Sequence, residues 1–135
     1  MDSYRNAVKG LIVNDEKKLL LVRSRKDDPT RPGTWDAPGG RLELGENPML
    51  GVMREVKEET DLEIEVKNPL GIHHFTRDDG QHITMIVFWC LPLSTEVKLD
   101  KENSEFKWVS PEEARQELHE SYDSDIAALE KYFLD

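Results

Sequence analysis

An α/β (α+β) sandwich, in which helices flank a mixed β-sheet, is the fold class the sequence predicts, on three observations. Short Val-, Ile- and Leu-rich runs are separated by polar turns, two segments open with helix-capping residues, and strands and helices interleave without the regular βαβ spacing of a parallel doubly wound sheet. The 135 residues are 37% hydrophobic and 34% charged, enough apolar material for one core, so the chain reads as a single domain over residues 1–135.

Taken in order, Ala7–Val13 and Leu19–Arg25 are apolar runs split by Asn14-Asp15-Glu16-Lys17, a pattern that predicts a hairpin. Lys26–Gly33 is polar with Pro29, Pro32 and Gly33 and reads as a loop, and Trp35 leads into the break Pro38-Gly39-Gly40. Asn47-Pro48 supplies an N-cap and a first-turn proline, and Leu50, Met53 and Val56 follow at helical spacing, so a helix is predicted over Pro48–Thr60. Further strands are expected at Glu63–Val66, Gly71–Phe75, Ile83–Leu91 and Glu105–Val109. Ser110-Pro111-Glu112-Glu113 has the form of a capping box opening a helix to about His119. A last helix over Asp125–Phe133 places Ile126, Leu129 and Phe133 on one stripe.

Eighteen basic against 28 acidic residues leave a formal charge of −10, which repels a phosphate backbone or an anionic membrane; neither a nucleic-acid polymer nor a membrane is expected as a partner. A small phosphorylated ligand stays compatible if divalent cations or a local Arg/Lys pocket offset the repulsion. Cys90 is alone, so no internal disulfide can form, and its apolar neighbours predict a buried inert thiol. Met1–Lys9 carries Asp2, Arg5 and Lys9 with no apolar run, so no signal peptide is expected and the protein reads as cytoplasmic. Trp89 and Trp108 are assigned to the core. His73, His74 and His82 match no zinc spacing and are expected to be satisfied or exposed strand residues.

The segment from Gly39 to Leu62 is the most informative. On a helix Glu55, Glu58 and Glu59 fall at i, i+3 and i+4, so three carboxylates share a face. Like-charge pairs at this spacing cost roughly 0.2–0.5 kcal/mol each, and the C-terminal half of a helix also disfavours anions, so a positive group is expected nearby. Arg54 can tie one carboxylate, and a cluster of hard oxygens also suits Mg²⁺ or Mn²⁺. A solvated acidic helix face is the competing reading. Gly39, Gly40 and Gly45 ahead of the helix shift the balance, because they permit close approach of a ligand or of a carbonyl to a metal, and Glu43 and Glu46 add oxygens.

This segment resembles the signature of the Nudix hydrolases: Gly, five residues, Glu, seven residues, Arg-Glu, an aliphatic residue, any residue, Glu-Glu, any residue, Gly and an aliphatic residue. Gly40, Glu46, Arg54, Glu55, Val56, Glu58, Glu59 and Leu62 match at the required spacing. The family's late glycine is Asp61 here, where a left-handed residue is expected; Asp tolerates that conformation better than most.

The resemblance implies a Nudix-type α/β/α sandwich with a mixed sheet and hydrolysis of a nucleoside diphosphate linked to another group, with Mg²⁺ or Mn²⁺ as cofactor. Carried over residue by residue, it makes Glu55, Glu58, Glu59 and the carbonyl of Gly39 metal ligands. Arg54 would orient the carboxylates, and Glu46 would pair with it or assist the metal. Glu58, Glu102 and Glu105 are candidates for the general base. Arg25 and Arg23, Trp35, Gly39 and Gly40 are candidate substrate contacts, with an exposed strand arginine and a core tryptophan as the competing readings. The windows that mark ADP-ribose or dinucleoside polyphosphate subfamilies, around Arg77–Gly80, hold neither marker, and the short chain looks most like a MutT-type nucleoside triphosphate pyrophosphatase releasing a nucleoside monophosphate and pyrophosphate. The alternatives are an ADP-ribose or nucleotide-sugar pyrophosphatase, a non-catalytic nucleotide-binding module, and an acidic structural protein that merely binds counterions. Family relatives are often dimers, so a homodimer is compatible.

Overall fold

The computed structural model describes residues 3–133; Met1 and Asp2, part of the segment read as lacking a signal peptide, lie outside them. The elements run β1 (Tyr4–Ile12), β2 (Leu19–Ser24), β3 (Trp35–Asp36), β4 (Gly39–Arg41), α1 (Pro48–Thr60), β5 (Ile64–Thr76), β6 (His82–Pro92), β7 (Asn103–Val109), α2 (Pro111–Glu117), a 3₁₀ turn (Glu120–Tyr122) and α3 (Asp123–Phe133).

Two sheets are formed. One has the order β4-β1-β6-β5, with β1 parallel to β6 and the other pairs antiparallel, which makes it the mixed sheet expected; the other is antiparallel, β3-β2-β7. The predicted hairpin does not form. Both edges of β1 are occupied, by β4 and β6, so the chain on either side of the turn pairs as β-structure only at the bridge Val13–Leu19 before β2 departs for the second sheet. The two strands expected at Glu63–Val66 and Gly71–Phe75 are one strand, β5, which absorbs Lys67 and Leu70 as irregularities in its register with β6.

Alternation along the strands feeds two cores. Ala7, Leu11, Ile83, Met85 and Val87 face α2 and α3 together with Ile126 and Leu129, whereas Val8, Ile12, Phe88 and Cys90 face α1 with Val52 and Val56. The result is the expected α/β/α sandwich. Trp89 and Trp108 are half-buried flanks of these cores, and burial pushes the Cys90 thiol up to about 12, consistent with an inert group.

Helix α1 is capped as the sequence predicts: the Asn47 side chain accepts from the amides of Met49 (2.8 Å) and Leu50 (3.4 Å), with Pro48 in the first turn. Of the residues read at helical spacing, Val56 alone lies on its buried stripe. Val52 and Val56 are fully buried with Thr60, while Leu50 is 62% exposed and Met53 lies at the surface. At the start of α2, Ser110 accepts from the Glu113 amide (3.1 Å), but the Glu113 carboxylate pairs with Lys107 (3.0 Å), so only half of the capping box forms. The three strand histidines are satisfied, His73 by Asp125, His74 by Thr84 and His82 by Thr76.

Asp61 ends α1 in the left-handed conformation, φ 63° and ψ 9°, with its amide donating to the Lys57 carbonyl at 2.9 Å. A side chain there costs on the order of 1 kcal/mol, and the exposed Lys57–Asp61 pair offsets little of it. Asp61→Gly is therefore expected to raise the unfolding free energy by up to about 1 kcal/mol, and Asp61→Val to lower it by more than 1 kcal/mol, measured by urea denaturation.

Candidate active site

Burying Val52 and Val56 decides where the acids of α1 go. Val52, Glu55, Val56 and Glu59 are spaced i, i+3, i+4 and i+7, so the face that docks on the sheet also carries two glutamates. Both reach the glycine turn at β4. The Gly39 amide donates to Glu59 Oε2 at 3.2 Å, and the Glu55 carboxylate lies so close to Gly40 that a Cβ there would stand 2.6 Å from Glu55 Oε2. Gly39 has φ +151°, and a Cβ on it would meet the Val8 carbonyl at 2.1 Å. At Gly39 the backbone therefore requires a glycine, whereas a side chain at Gly40 would have to displace the Glu55 carboxylate.

The expected convergence of three carboxylates does not occur. Among the described residues no three His, Cys, Asp or Glu side chains are grouped as a metal ion would need. Arg54 is the reason: its guanidinium binds Glu46 through Nε (2.7 Å) and Nη2 (2.9 Å), Glu58 through Nη1 (3.0 Å) and Glu55 through Nη2 (3.2 Å). Arg54 thus pairs with three carboxylates, and Glu58, the outermost of them, has 57% of its side chain exposed. The Arg54 bonds, joined by the Glu43 amide, hold the Glu46 carboxyl down to about 2. The inner acids behave oppositely. Burial raises Glu55 against the pull of Arg54, and burial pushes Glu59 up to about 8, opposed by Lys9 and the Gly39 amide and reinforced by Glu55 and Asp100.

A cavity of about 240 Å³ opens beside Glu59 and the two glycines. Arg25, Arg23 and Trp35 do not line it. Arg23 donates to the Gly33 carbonyl (2.9 Å) and to Glu105 (3.3 Å), Arg25 pairs with Asp27 (3.4 Å), and Trp35 packs on the α2/α3 core with the Lys107 ammonium 4.5 Å from its ring centre. The cations at the cavity are Lys9 and Arg31 instead, and the acids include Asp36 and Glu102. The alternation expected to bring Arg23 and Arg25 to one face does not carry through, because the register shifts between Arg23 and Ser24 and β2 ends before Arg25.

Asp36, read only as part of a lead-in to the glycines, organises this wall. Its Oδ2 accepts from Lys9 Nζ (3.1 Å) and Arg31 Nη1 (2.7 Å); its Oδ1 accepts from Tyr122 Oη and the Ala37 amide, each at 2.8 Å. Burial alone would raise this carboxyl, yet Lys9, Arg31 and the Tyr122 hydroxyl outweigh it and bring the pKa down to about 2. The sequence signal available for these residues was weak: a lysine among the apolar residues of β1 and an aspartate after a tryptophan.

A family model described as the NUDIX domain matches residues 3–129. A MutT-like protein of Streptomyces ambofaciens is 36% identical over 116 residues, covering 86% of this chain and 70% of that protein. An ADP-ribose pyrophosphatase of Methanocaldococcus jannaschii is 40% identical over 103 residues, covering 74% of this chain and 59% of that protein. Among solved structures, a MutT protein from Methanosarcina mazei aligns with a TM-score of 0.83 at 28% identity, covering 99% of this chain and 98% of that one. Fold and relatives together define a hydrolase that acts on nucleoside diphosphate derivatives. More specifically, the chain belongs to the Nudix family.

The Asp36 carboxyl has a pKa of about 2 in the fold against 3.8 ordinarily. Its contribution to stability, on the order of 2 kcal/mol, is therefore present above pH 3.8 and is lost as the pH falls through about 2. Urea midpoints measured from pH 5 to pH 2 are expected to fall more steeply for the wild type than for Asp36→Asn. Parallel profiles would contradict this account of the carboxylate.

Proposed function

We propose that this Nudix hydrolase is a MutT-like nucleoside triphosphate pyrophosphatase, dependent on Mg²⁺ or Mn²⁺, that releases a nucleoside monophosphate and pyrophosphate. The observation that carries the reading is the placement of Glu55 and Glu59 together at the Gly39–Gly40 turn, with Glu59 and both glycines on the wall of a cavity that also presents Lys9 and Arg31. The similarity to a MutT-like protein and to a MutT structure supports the same class.

The residues fit a divalent cation. Glu59 is a partly buried carboxylate whose hydrogen-bond donor is one backbone amide, and a hard cation would supply the charge compensation it lacks. Glu55, Glu58, Glu59 and the Gly39 carbonyl would hold the ion. Glu58 can leave Arg54 at little cost, since exposed ion pairs contribute roughly 0–1 kcal/mol. Such an ion, when bound, neutralises diphosphate oxygens and lowers the pKa of water.

The chain's own residues do the remaining work. Arg54 restrains Glu46 and Glu55, which keeps the carboxylates from relaxing into solvent. Of the three candidate general bases, Glu58 is assigned to the cation and Glu105 pairs with Arg23, whereas Glu102 lines the cavity with Glu59; we assign it the attacking water's proton. Lys9 and Arg31 partly offset the acids Asp28, Asp36, Glu59 and Glu102 that line the same cavity, where a polyphosphate must enter.

A second reading, an ADP-ribose or nucleotide-sugar pyrophosphatase, is favoured by one feature: Ser24, Thr30, Thr34 and Asn103 line the cavity with hydroxyl and amide groups and no aromatic ring stands among its lining residues. The ADP-ribose pyrophosphatase similarity points the same way. Under either reading the protein works in the cytoplasm on a small nucleotide, as a monomer or homodimer. Among the described residues no helix is long and apolar enough to cross a membrane.

A panel of nucleoside triphosphates, ADP-ribose and nucleotide sugars, assayed with Mg²⁺ for phosphate and pyrophosphate release, tests the proposal. Pyrophosphate release from triphosphates is expected; preference for ADP-ribose transfers the assignment to the second reading. Glu59→Gln is expected to lower kcat on the order of 100-fold, and Glu102→Gln by 10²–10⁴-fold. Tight nucleotide binding without turnover, unchanged by Glu59→Gln, would leave only a binding module.

A further inference from the structure

We propose that Tyr122 and Asp36 form a positioning relay that fixes Lys9 and Arg31 as the clamp for the pyrophosphate portion of the substrate, so that the 3₁₀ turn between α2 and α3 sets the shape of the site from the far layer of the sandwich. The proposal rests on the reading of this cavity as the hydrolase site.

The relay is continuous. Tyr122 is 5% exposed and carries its hydroxyl out of the α2/α3 core to Asp36 Oδ1 at 2.8 Å. The Ala37 amide fills the second position on that oxygen at 2.8 Å, and both cations share the other oxygen, Lys9 at 3.1 Å and Arg31 at 2.7 Å. Lys9 is held a second time by the Ala37 carbonyl, at 3.2 Å. Asp36 and Lys9 are nearly enclosed, with side chains 13% and 14% exposed, so neither can be repositioned by solvent alone.

Arg31 differs. Its side chain is 54% exposed, and among the described residues the guanidinium has one hydrogen-bond partner, Asp36. An arginine presents five N–H donors in a rigid fork, so most of the fork is available to a planar or tetrahedral oxyanion. One carboxylate between two cations leaves the group with a net charge of +1, adjacent to the glycine turn. The arrangement does for the anion what Arg54 does for the acids: it holds one charge type by sharing a single opposite partner.

Two effects of Asp36 are opposed, and the sign of one substitution separates them. As a charge, Asp36 weakens anion binding, and its removal raises the net charge to +2. As an anchor, it strengthens binding by pre-setting Lys9 and Arg31. The relay assigns the larger effect to anchoring, because a freed lysine and arginine must give up rotamer freedom when ordered again on the anion.

The test uses the full chain in Mg²⁺, with inorganic pyrophosphate titrated by calorimetry and with dGTP and ADP-ribose as substrates for turnover. Arg31→Met and Lys9→Met are expected to weaken pyrophosphate binding at least tenfold. Asp36→Asn is expected to weaken it three- to tenfold despite the gain in positive charge. Tyr122→Phe, which alters no charge, is expected to raise KM three- to tenfold with kcat within twofold, the pattern of lost ground-state positioning. Unchanged pyrophosphate affinity in Tyr122→Phe, tighter binding in Asp36→Asn, or no binding by the wild type overturns the relay. A lowered melting temperature in Tyr122→Phe with KM and pyrophosphate affinity unchanged also overturns it, as that result describes packing alone. If the wild type turns over neither substrate while the variants lose pyrophosphate affinity as stated, the assigned substrates fail and the relay stands.

Discussion

The docking face of α1 carries both its apolar anchors and two of its acids, and the rest of the site follows from that. Val52 and Val56 are fully buried on the sheet, and Glu55 and Glu59, one and two turns along the same stripe, are drawn to the Gly39–Gly40 turn with them. Burying two like charges side by side is unfavourable unless something compensates. The fold supplies three partial answers: Arg54 on Glu55, the Gly39 amide on Glu59, and Lys9 nearby. They leave Glu59 with its pKa raised to about 8. A helix held by its hydrophobic contacts therefore keeps a carboxylate in a place suited to a cation.

The same logic, with charges reversed, governs the opposite wall. Lys9 emerges from β1 between apolar neighbours and its stem crosses the Gly39 backbone, so a Cβ at Gly39 would also stand 2.9 Å from Lys9 Cδ. Asp36 then gathers Lys9 with Arg31 and is locked by Tyr122 from the α2/α3 layer. The two walls meet at the glycine turn. A chain with a net charge of −10 thereby keeps local cations where a polyphosphate would enter.

How far the sequence foretold this differs by element, for physical reasons. Local chemistry was readable: the Asn47-Pro48 cap, the left-handed Asp61, the helix Pro48–Thr60 and the pairing of Arg54 with Glu58 depend on residues within a few turns of one another. Pairing was not. Asn14–Lys17 has the composition of a hairpin turn, but whether β1 accepts β2 depends on β4 and β6 already holding its edges. Of Leu50, Met53 and Val56, read at helical spacing, Val56 alone is buried, because contact with β1 and β4 selects the Val52–Val56 stripe. Arg23 and Arg25 were offered as substrate contacts by the family resemblance, with exposed strand arginines as the competing reading, and they lie off the cavity, while Lys9, Arg31 and Tyr122 are separated along the chain and come together through Asp36. Glu58 was expected inward, and the guanidinium of Arg54 turned it out.

Divalent-ion binding by Glu55 and Glu59 is the claim on which the functional account depends, and Mn²⁺ titration followed by electron paramagnetic resonance measures it without reference to any substrate. The account predicts saturable binding by the wild type and a loss of at least tenfold in affinity in the double variant Glu55→Gln/Glu59→Gln, with the far-ultraviolet circular dichroism of both proteins the same. Equal Mn²⁺ affinity in the two proteins, or no binding by the wild type, would contradict it.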